Sequence, residues 1–286
     1  VRLKRTATEL AGRTVVVTGG ARGIGLETAR EALRRGARVA LLDVTPGAVE
    51  RAADELGHDG SVLGLSADVR DVSSLEAAFA RVTEVFGGYD TVVVNAGVGT
   101  GLRTFRATAP AEYDRIIDVN LHGAAHTVRV ALDQVLAARG QFVFVSSVLA
   151  FNNGALQSPY AMSKAGAEAL ARALHVELAG RGVDVTIAYL AYIDTVLNST
   201  VWADEAARGY DSSVPRLLKP RLGAEVAGRG LADAIADRRK TLVVPGRWRA
   251  LLLLRGLWGP LSEWALRRDS GFTESVVLAD RPKPLA

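Results

Sequence analysis

Ser147, Tyr160 and Lys164 are the residues whose types and spacing carry chemistry. Tyr160 and Lys164 stand one helical turn apart, so a helix through them presents both on one face. Pro159 suits the first turn of such a helix, and Ser158 its cap. Ser147 follows the apolar run 142–145, which reads as a strand leading into a loop. A phenol with a pKa of about 10 is a poor base at neutral pH. A neighbouring ammonium favours the phenolate and lowers that pKa. The tyrosine can then take a proton from an alcohol or return one to a carbonyl, while the serine hydroxyl holds the substrate oxygen beside it. A lone Tyr-x-x-x-Lys carries little information, so the trio gains meaning only from what surrounds it.

The surroundings begin at residues 14–25. An apolar strand runs into Thr18-Gly19-Gly20-Ala21-Arg22-Gly23-Ile24-Gly25, and an amphipathic helix follows. Glycines at 19, 23 and 25 permit a tight turn, close backbone approach to a pyrophosphate, and close packing of helix on strand. The free N–H groups and dipole of the helix N-terminus favour an anion there. Eighteen residues beyond Gly25, the second strand ends at Asp43. A carboxylate in that place accepts hydrogen bonds from the adenosine ribose hydroxyls and repels a 2′-phosphate, favouring NAD over NADP. Arg22 pulls the other way, and an aspartate that only caps the next turn is the plainer alternative for Asp43.

The elements that must hold these groups alternate. Residues 14–18, 38–43, 61–66, 91–95, 141–146, 184–190 and 241–244 read as strands, and 26–35, 48–56, 73–86, 111–138 and 159–179 as helices. The strands are nearly continuous apolar runs, as expected where helices cover both faces of a parallel sheet. The pattern predicts an α/β fold, a single Rossmann-type, doubly wound parallel sheet of about seven strands with a C-terminal apolar helical extension. The expected organisation is a single domain over 1–286, with a core at 10–246, a lid (or simply a long connection) at 194–229 and the extension at 247–286. That tail, with Trp248, Trp258 and Trp264, reads as short amphipathic helices that cover the core; docking on a membrane surface is the bolder reading.

Composition narrows the function classes. The 35 basic and 31 acidic residues leave a mild positive balance, concentrated at Arg2, Lys4 and Arg5 and in the last third. No aromatic-interleaved basic stripe accompanies it, which argues against nucleic-acid binding. There is no cysteine, and the histidines 58, 122, 126 and 175 lack the partners of a metal motif, so no metal site is expected. No apolar run approaches the roughly 20 residues that span a bilayer. A cytoplasmic enzyme is expected.

Taken together these residues resemble the short-chain dehydrogenase/reductase family. Thr18-Gly19-x-x-x-Gly23-x-Gly25, Asn95-Ala96-Gly97, Ser147 and Tyr160-x-x-x-Lys164 match its motifs in order and spacing over roughly residues 10–200. The resemblance implies a nicotinamide cofactor, contacts to adenine from Asp68 and Val69, and further contacts from Ile24, Ile193 and Thr195. It also implies that Asn120 completes a tetrad with Ser147, Tyr160 and Lys164, supporting a water-linked proton relay. One departure stands out: the family commonly has Pro-Gly after the sixth strand, where this chain has Leu190-Ala191.

Leu149, Phe151, Leu156, Tyr192, Val196 and Trp202 are the expected substrate lining, mainly apolar, which suits a steroid, terpenoid, polyketide, retinoid-like or long-chain alcohol or ketone. Asn152 and Asn153 are candidates to orient a polar group, with a role in a turn as the equal alternative. Two alternatives stay open: non-redox acid–base work such as dehydration or cyclisation, and a non-catalytic dinucleotide-sensing protein. The resemblance further implies a homodimer or homotetramer, paired through the helices at 111–138 and 159–179.

Overall fold

The computed structural model describes residues 9–195 and 201–281, so the basic cluster at Arg2, Lys4 and Arg5 lies outside the described residues. Strands β1 (Thr14–Thr18), β4 (Thr91–Val94) and β5 (Gln141–Ser147) are buried at every position. Within β1, Val16 joins the core on one face of the sheet while Val15 and Val17 join the core on the other, the two-residue alternation of a pleated strand. A strand apolar on both sides is stable only between two helical layers. With β2 (Arg38–Asp43), β3 (Val62–Ser66), β6 (Asp184–Leu190) and β9 (Thr241–Val244) these form one parallel sheet in the order β3-β2-β1-β4-β5-β6-β9. The doubly wound architecture expected from the sequence is therefore what the chain builds.

The crossover helices are α1 (Gly23–Arg34), α2 (Ala48–Leu56), α3 (Val72–Phe86), α4 (Pro110–Ile117), α5 (Gly123–Ala137), α6 (Ser158–Glu177), a short α7 (Ala207–Ser213) and α8 (Ala224–Ala236). The single helix expected over 111–138 is interrupted. Asp118–His122 forms a π-helical turn between α4 and α5, and such turns frequently mark functional sites because the wider winding re-aims side chains. Ser158 does not cap α6: it is the first helical residue, and its hydroxyl is buried without a hydrogen-bond partner.

Helix α1 is fixed from behind. Arg35, only 4% exposed, donates to Glu31 (2.6 Å) and to Asp233 of α8 (2.9 Å). The hydrogen bond from Arg34, together with Arg35, holds the Glu31 carboxyl down at about 2 despite its burial. These bonds pin the C-terminal end of α1, opposite the end that faces the sheet's carboxyl edge.

Beyond β6 the chain is more ordered than a loop. A two-stranded parallel ribbon pairs β7 (Ile193–Asp194) with β8 (Leu222–Gly223). After β9 the tail folds into α9 (Arg249–Leu253), α10 (Arg255–Leu266) and α11 (Ser270–Ala279). Helix α11 is tied to the region 201–213: Ser275 Oγ donates to Ala206 O (2.8 Å). A Cβ on Gly209 would lie 2.1 Å from Gly271 O, so only glycine permits that crossing. No helix among the described residues is long and apolar enough to cross a membrane.

Candidate active site

Strand β1 is flanked by β2 on one side and β4 on the other, so the loops leaving β1 and β4 diverge and open a crevice at the carboxyl edge of the sheet. Gly19 sits there at φ +65°, and a Cβ on it would lie 2.8 Å from Ala96 Cα. A Cβ on Gly25 would lie 2.3 Å from Gly19 O and 2.7 Å from Asn95 Nδ2. Asn95 braces the turn by donating to the carbonyls of Thr18 and Gly19, both at 2.9 Å. The Thr18 hydroxyl, fully buried, accepts from the backbone of Asn95 (3.1 Å) and Ala96 (3.2 Å). Thr18 and Asn95 thus shape the cradle from beneath, while Gly19, Gly23, Ile24, Ala96 and Gly97 line the cavity above it. Arg22 is the extended residue before α1 and makes no capping bond with its side chain, which leaves the first-turn N–H groups for an anion.

Asp43 and Asp68 stand at the adjoining end of the same cavity, beside Val69. The two carboxylate oxygens of Asp43 accept from Ala21 N and Thr45 N, each at 3.2 Å, which fixes the side chain at the strand end. Asp68 is held by the Arg70 guanidinium (2.6 Å), whose hydrogen bonds keep its carboxyl below the usual range. Thr195, after β7, approaches Gly23: a Cβ there would be 3.6 Å from Thr195 Cγ2. The glycine cradle, the uncapped helix start and the carboxylate at the strand end fit a nicotinamide dinucleotide, because glycine alone lets the turn pack this closely on Ala96 and Asn95 and present its backbone N–H groups to a diphosphate.

The trio meets at the middle of the cavity. Ser147 ends β5 and accepts from Leu149 N (3.2 Å). Tyr160 and Lys164 share the face of α6 expected from their spacing, with Lys164 Nζ 5.7 Å from the Tyr160 ring centre. The ammonium donates to Val145 O (2.9 Å), and burial lowers its pKa to about 8. Burial pushes the Tyr160 phenol up to about 12, while a hydrogen bond with Ser147 draws it down. Of these two influences on the phenol, desolvation is the larger; an ammonium at this distance acts in the same sense as the Ser147 hydrogen bond, favouring the phenolate.

Asn120 lies in the π-helical turn and is 2% exposed. Its side chain accepts from Val98 N (2.8 Å) and donates to Val98 O (2.9 Å) and Ser163 Oγ (3.0 Å). Ser163 in turn donates to Tyr160 O (2.8 Å). Asn120 therefore ties the loop after β4 to the helix carrying Tyr160. A Cβ on Gly97 would lie 3.4 Å from both Asn120 Oδ1 and Lys164 Nζ, which makes all three neighbours.

The far end of the cavity, whose volume is about 540 Å³ overall, is aromatic. Leu149, Tyr192 and Trp202 line it as expected. Phe151 and Leu156 do not line it. Phe151 turns under the sheet edge and packs edge-on against Tyr189 with ring centres 5.7 Å apart. Leu156, at φ +64°, is buried with Leu102 and Phe272 beneath α11. Val196 lies outside the described residues. Tyr210 and Trp248, missing from the expected lining, belong to it. Tyr192 joins them, 5.7 Å from Trp202 and 6.1 Å from Trp248 by ring centres, and shares a hydrogen bond with Tyr210. Burial pushes the Tyr210 phenol up to about 12. Trp248 had a usable signal, since it follows the last strand of the sheet; Tyr210 sits in no motif. Asn152 also lines the cavity, whereas Asn153 instead accepts from Ala155 N (3.0 Å).

Leu190 and Ala191, which stand where the family has Pro-Gly, are buried, and Ala191 packs with Val148 and Trp248. The backbone takes its left-handed turn one residue later, at Tyr192 (φ +51°). Of the histidines near this end of the sheet, His122 pairs with Asp118 (3.0 Å) and His126 with Val69 O (3.2 Å). Among the described residues no group of three or more histidine or carboxylate side chains is arranged to hold a metal ion.

Comparison with known proteins agrees with this geometry. The family model described as short chain dehydrogenase matches residues 13–206. Oxidoreductase UcpA of Salmonella typhimurium is 33% identical over 232 residues, covering 79% of this chain and 85% of that protein. Cis-4-hydroxycyclohexanecarboxylate dehydrogenase of Sinomonas cyclohexanicum is 36% identical over 228 residues, covering 78% and 91%. Among solved structures, the 3-ketoacyl-(acyl-carrier-protein) reductase from Brucella melitensis, complexed with NADH, superposes with a TM-score of 0.74 at 24% identity, covering 83% of this chain and 99% of that one.

Proposed function

The chain belongs to the short-chain dehydrogenase family, an NAD(P)-dependent oxidoreductase acting on CH–OH groups, and from that premise we propose that it interconverts a secondary alcohol and a ketone on a hydrophobic substrate with NAD as the preferred cofactor. The observation that carries the reading is one continuous cavity. It joins Asp43 and the glycine cradle at one end to Ser147, Tyr160 and Lys164 in the middle and to Tyr192, Trp202 and Trp248 beyond. The apolar far end supports a steroid, terpenoid, polyketide or other lipid-like substrate. The lid expected at 194–229 and the extension expected at 247–286 are read, over their described residues, as a lid and a cap on the same single domain.

The bound dinucleotide supplies or accepts the hydride. The rest falls to this chain's residues. The cradle of Gly19, Gly23, Ile24 and Gly25, braced by Thr18 and Asn95, holds the diphosphate, with Arg22 at its rim. Asp43 receives the ribose hydroxyls and repels a 2′-phosphate. Asp68 and Val69 flank the adenine; Ala96, Gly97, Ile193 and Thr195 flank the rest of the cofactor. Ser147 and Tyr160 hold the substrate oxygen. In reduction the Tyr160 phenol gives that oxygen its proton; in oxidation the phenolate takes it back. Lys164 supplies the positive charge that makes the phenolate accessible, and Asn120 positions helix and loop around them.

The enzyme is further read as a cytoplasmic homodimer or homotetramer paired through α5 and α6. Exposed Met162 (48%) and Val176 (75%) on α6 support that face.

The test is near-ultraviolet absorbance of NADH formation with a panel of apolar secondary alcohols and cis-4-hydroxycyclohexanecarboxylate, run beside NADP at mildly alkaline pH. Turnover with NAD on an apolar alcohol is expected. Turnover with NADP alone would overturn the role of Asp43. Binding of both nucleotides with no turnover on any member would sink the redox reading.

A further inference from the structure

Helix α10 carries more apolar surface than it buries. A surface helix ordinarily turns its apolar stripe to the core. Here Leu257 (74% exposed), Leu261 (57%) and Trp264 (56%) share one outward stripe at i, i+4 and i+7. Its inward face packs Trp258 and Leu266 against the neighbouring cores and carries Arg255 and Ser262 between them. Arg255 donates to Glu168 on α6 (2.6 Å), and Ser262, 8% exposed, donates to Gly259 O (2.8 Å) and lies 3.5 Å from Asn152 and Asn153. The bond to Glu168, the contacts with Asn152 and Asn153, and the inward packing of Trp258 and Leu266 fix the rotation of the helix and leave the second apolar stripe outside. Leu253 (76%) and Leu254 (56%) on the preceding turn extend the patch. An exposed apolar surface of this kind marks a contact site.

Its rim says what kind. Between residues 247 and 268 there are arginines at 247, 249, 255, 267 and 268 against the single acid Glu263. Arg249, Arg267 and Arg268 are exposed, and the Arg268 guanidinium lies 4.4 Å over the Trp264 ring. Two copies pressed together on this face would set one arginine ring against another. A bilayer with anionic headgroups suits both parts, with leucines in the acyl boundary, tryptophan at the interface and arginines among the phosphates. Asn152, which Ser262 adjoins, lines the cavity, so the patch stands beside the substrate's end of the site.

We propose that α9 and α10 form a docking face for an anionic lipid surface, from which the apolar substrate reaches the cavity. The second clause rests on the proposed function; the first does not.

The test is flotation of the full chain with phosphatidylcholine vesicles, with and without phosphatidylglycerol. Salt-sensitive binding to the anionic vesicles is expected. The double variant Leu257→Glu/Leu261→Glu should weaken it about tenfold or more, since both the buried area and the charge match are lost. Its melting temperature and its turnover of a water-soluble alcohol should be unchanged. Should that variant fold poorly, Arg267→Glu/Arg268→Glu gives an independent reading through the rim alone and should also weaken anionic binding. Absence of flotation with either vesicle overturns the docking face, whatever the turnover. So does a wild-type chain that stays off vesicles but whose mass in light scattering falls with Leu257→Glu/Leu261→Glu, which would make the face a contact between copies. Flotation without turnover of any apolar alcohol keeps the docking face and removes only the substrate clause.

Discussion

The two ends of the cavity are built by opposite rules. At the dinucleotide end the walls are backbone. Gly19 and Gly25 are fixed by approaches of 2.8 Å or less to neighbouring atoms, and the bracing bonds of Asn95 link two adjacent strand ends. At the substrate end the walls are side chains gathered from far apart, with Tyr192 after β6, Tyr210 in α7 and Trp248 after β9. A wall of backbone tolerates no added atom and serves one ligand. A wall of side chains can be repacked, which is how one scaffold acquires different substrates.

If that contrast is right, substitutions should fall in order of severity from the middle of the cavity outward. Tyr160→Phe removes the phenol that bonds Ser147 and should lower kcat by about 10²–10⁴-fold, with cofactor affinity by fluorescence titration unchanged. Gly25→Ala places a methyl group 2.3 Å from Gly19 O, and should cost on the order of 1–3 kcal/mol of stability in denaturant unfolding and weaken dinucleotide binding. Lys164→Met should do the reverse to stability while removing activity. The buried amine titrates at about 8 against an ordinary 10.5, so the unfolded chain binds its proton more readily. The resulting destabilisation is fully present below pH 8 and lifts as pH rises towards 10.5. Relieving it is worth up to about 3 kcal/mol at pH 7 by the usual 1.36 kcal/mol per pK unit, less the lost bond to Val145 O. A melting-temperature gain that failed to shrink with rising pH would contradict this account.

Asp43→Asn should narrow the preference for NAD over NADP by about tenfold, since the repulsion of a 2′-phosphate goes while the strand-end geometry remains. The smallest effect belongs to the substrate end. Tyr210→Phe removes one hydrogen bond with Tyr192 worth about 1 kcal/mol, so KM should move by less than about tenfold with kcat nearly unchanged. A loss comparable with that of Tyr160→Phe would place Tyr210 in the chemistry and break the comparison.

The pH profile sharpens it further. With the phenol pushed up to about 12, Tyr160 is protonated at neutral pH and suited to reduction. Alcohol oxidation needs the phenolate and should accelerate as pH rises, while ketone reduction does not. Parallel rate profiles for the two directions would refute this.

What the sequence determined by itself was everything encoded within one strand–turn–helix unit or repeated along the chain. The order of strands, the glycine turn, Asp43 at a strand end and the shared face of Tyr160 and Lys164 depend on neighbours a few residues away, where periodicity and the steric demands of a turn act directly. Tertiary structure alone decided how distant segments meet. It split the helix around Asn120 with a π-helical turn, sent Phe151 and Leu156 into the packing, and drew Tyr210 into the cavity. It also left a second apolar stripe of α10 outside, because Trp258 and Leu266 took the inward packing and Arg255 and Ser262 found polar partners on α6 and beside Asn152. A hydrophobic pattern states that a helix has an apolar face; which way that face turns depends on contacts between parts of the chain that no local spacing records.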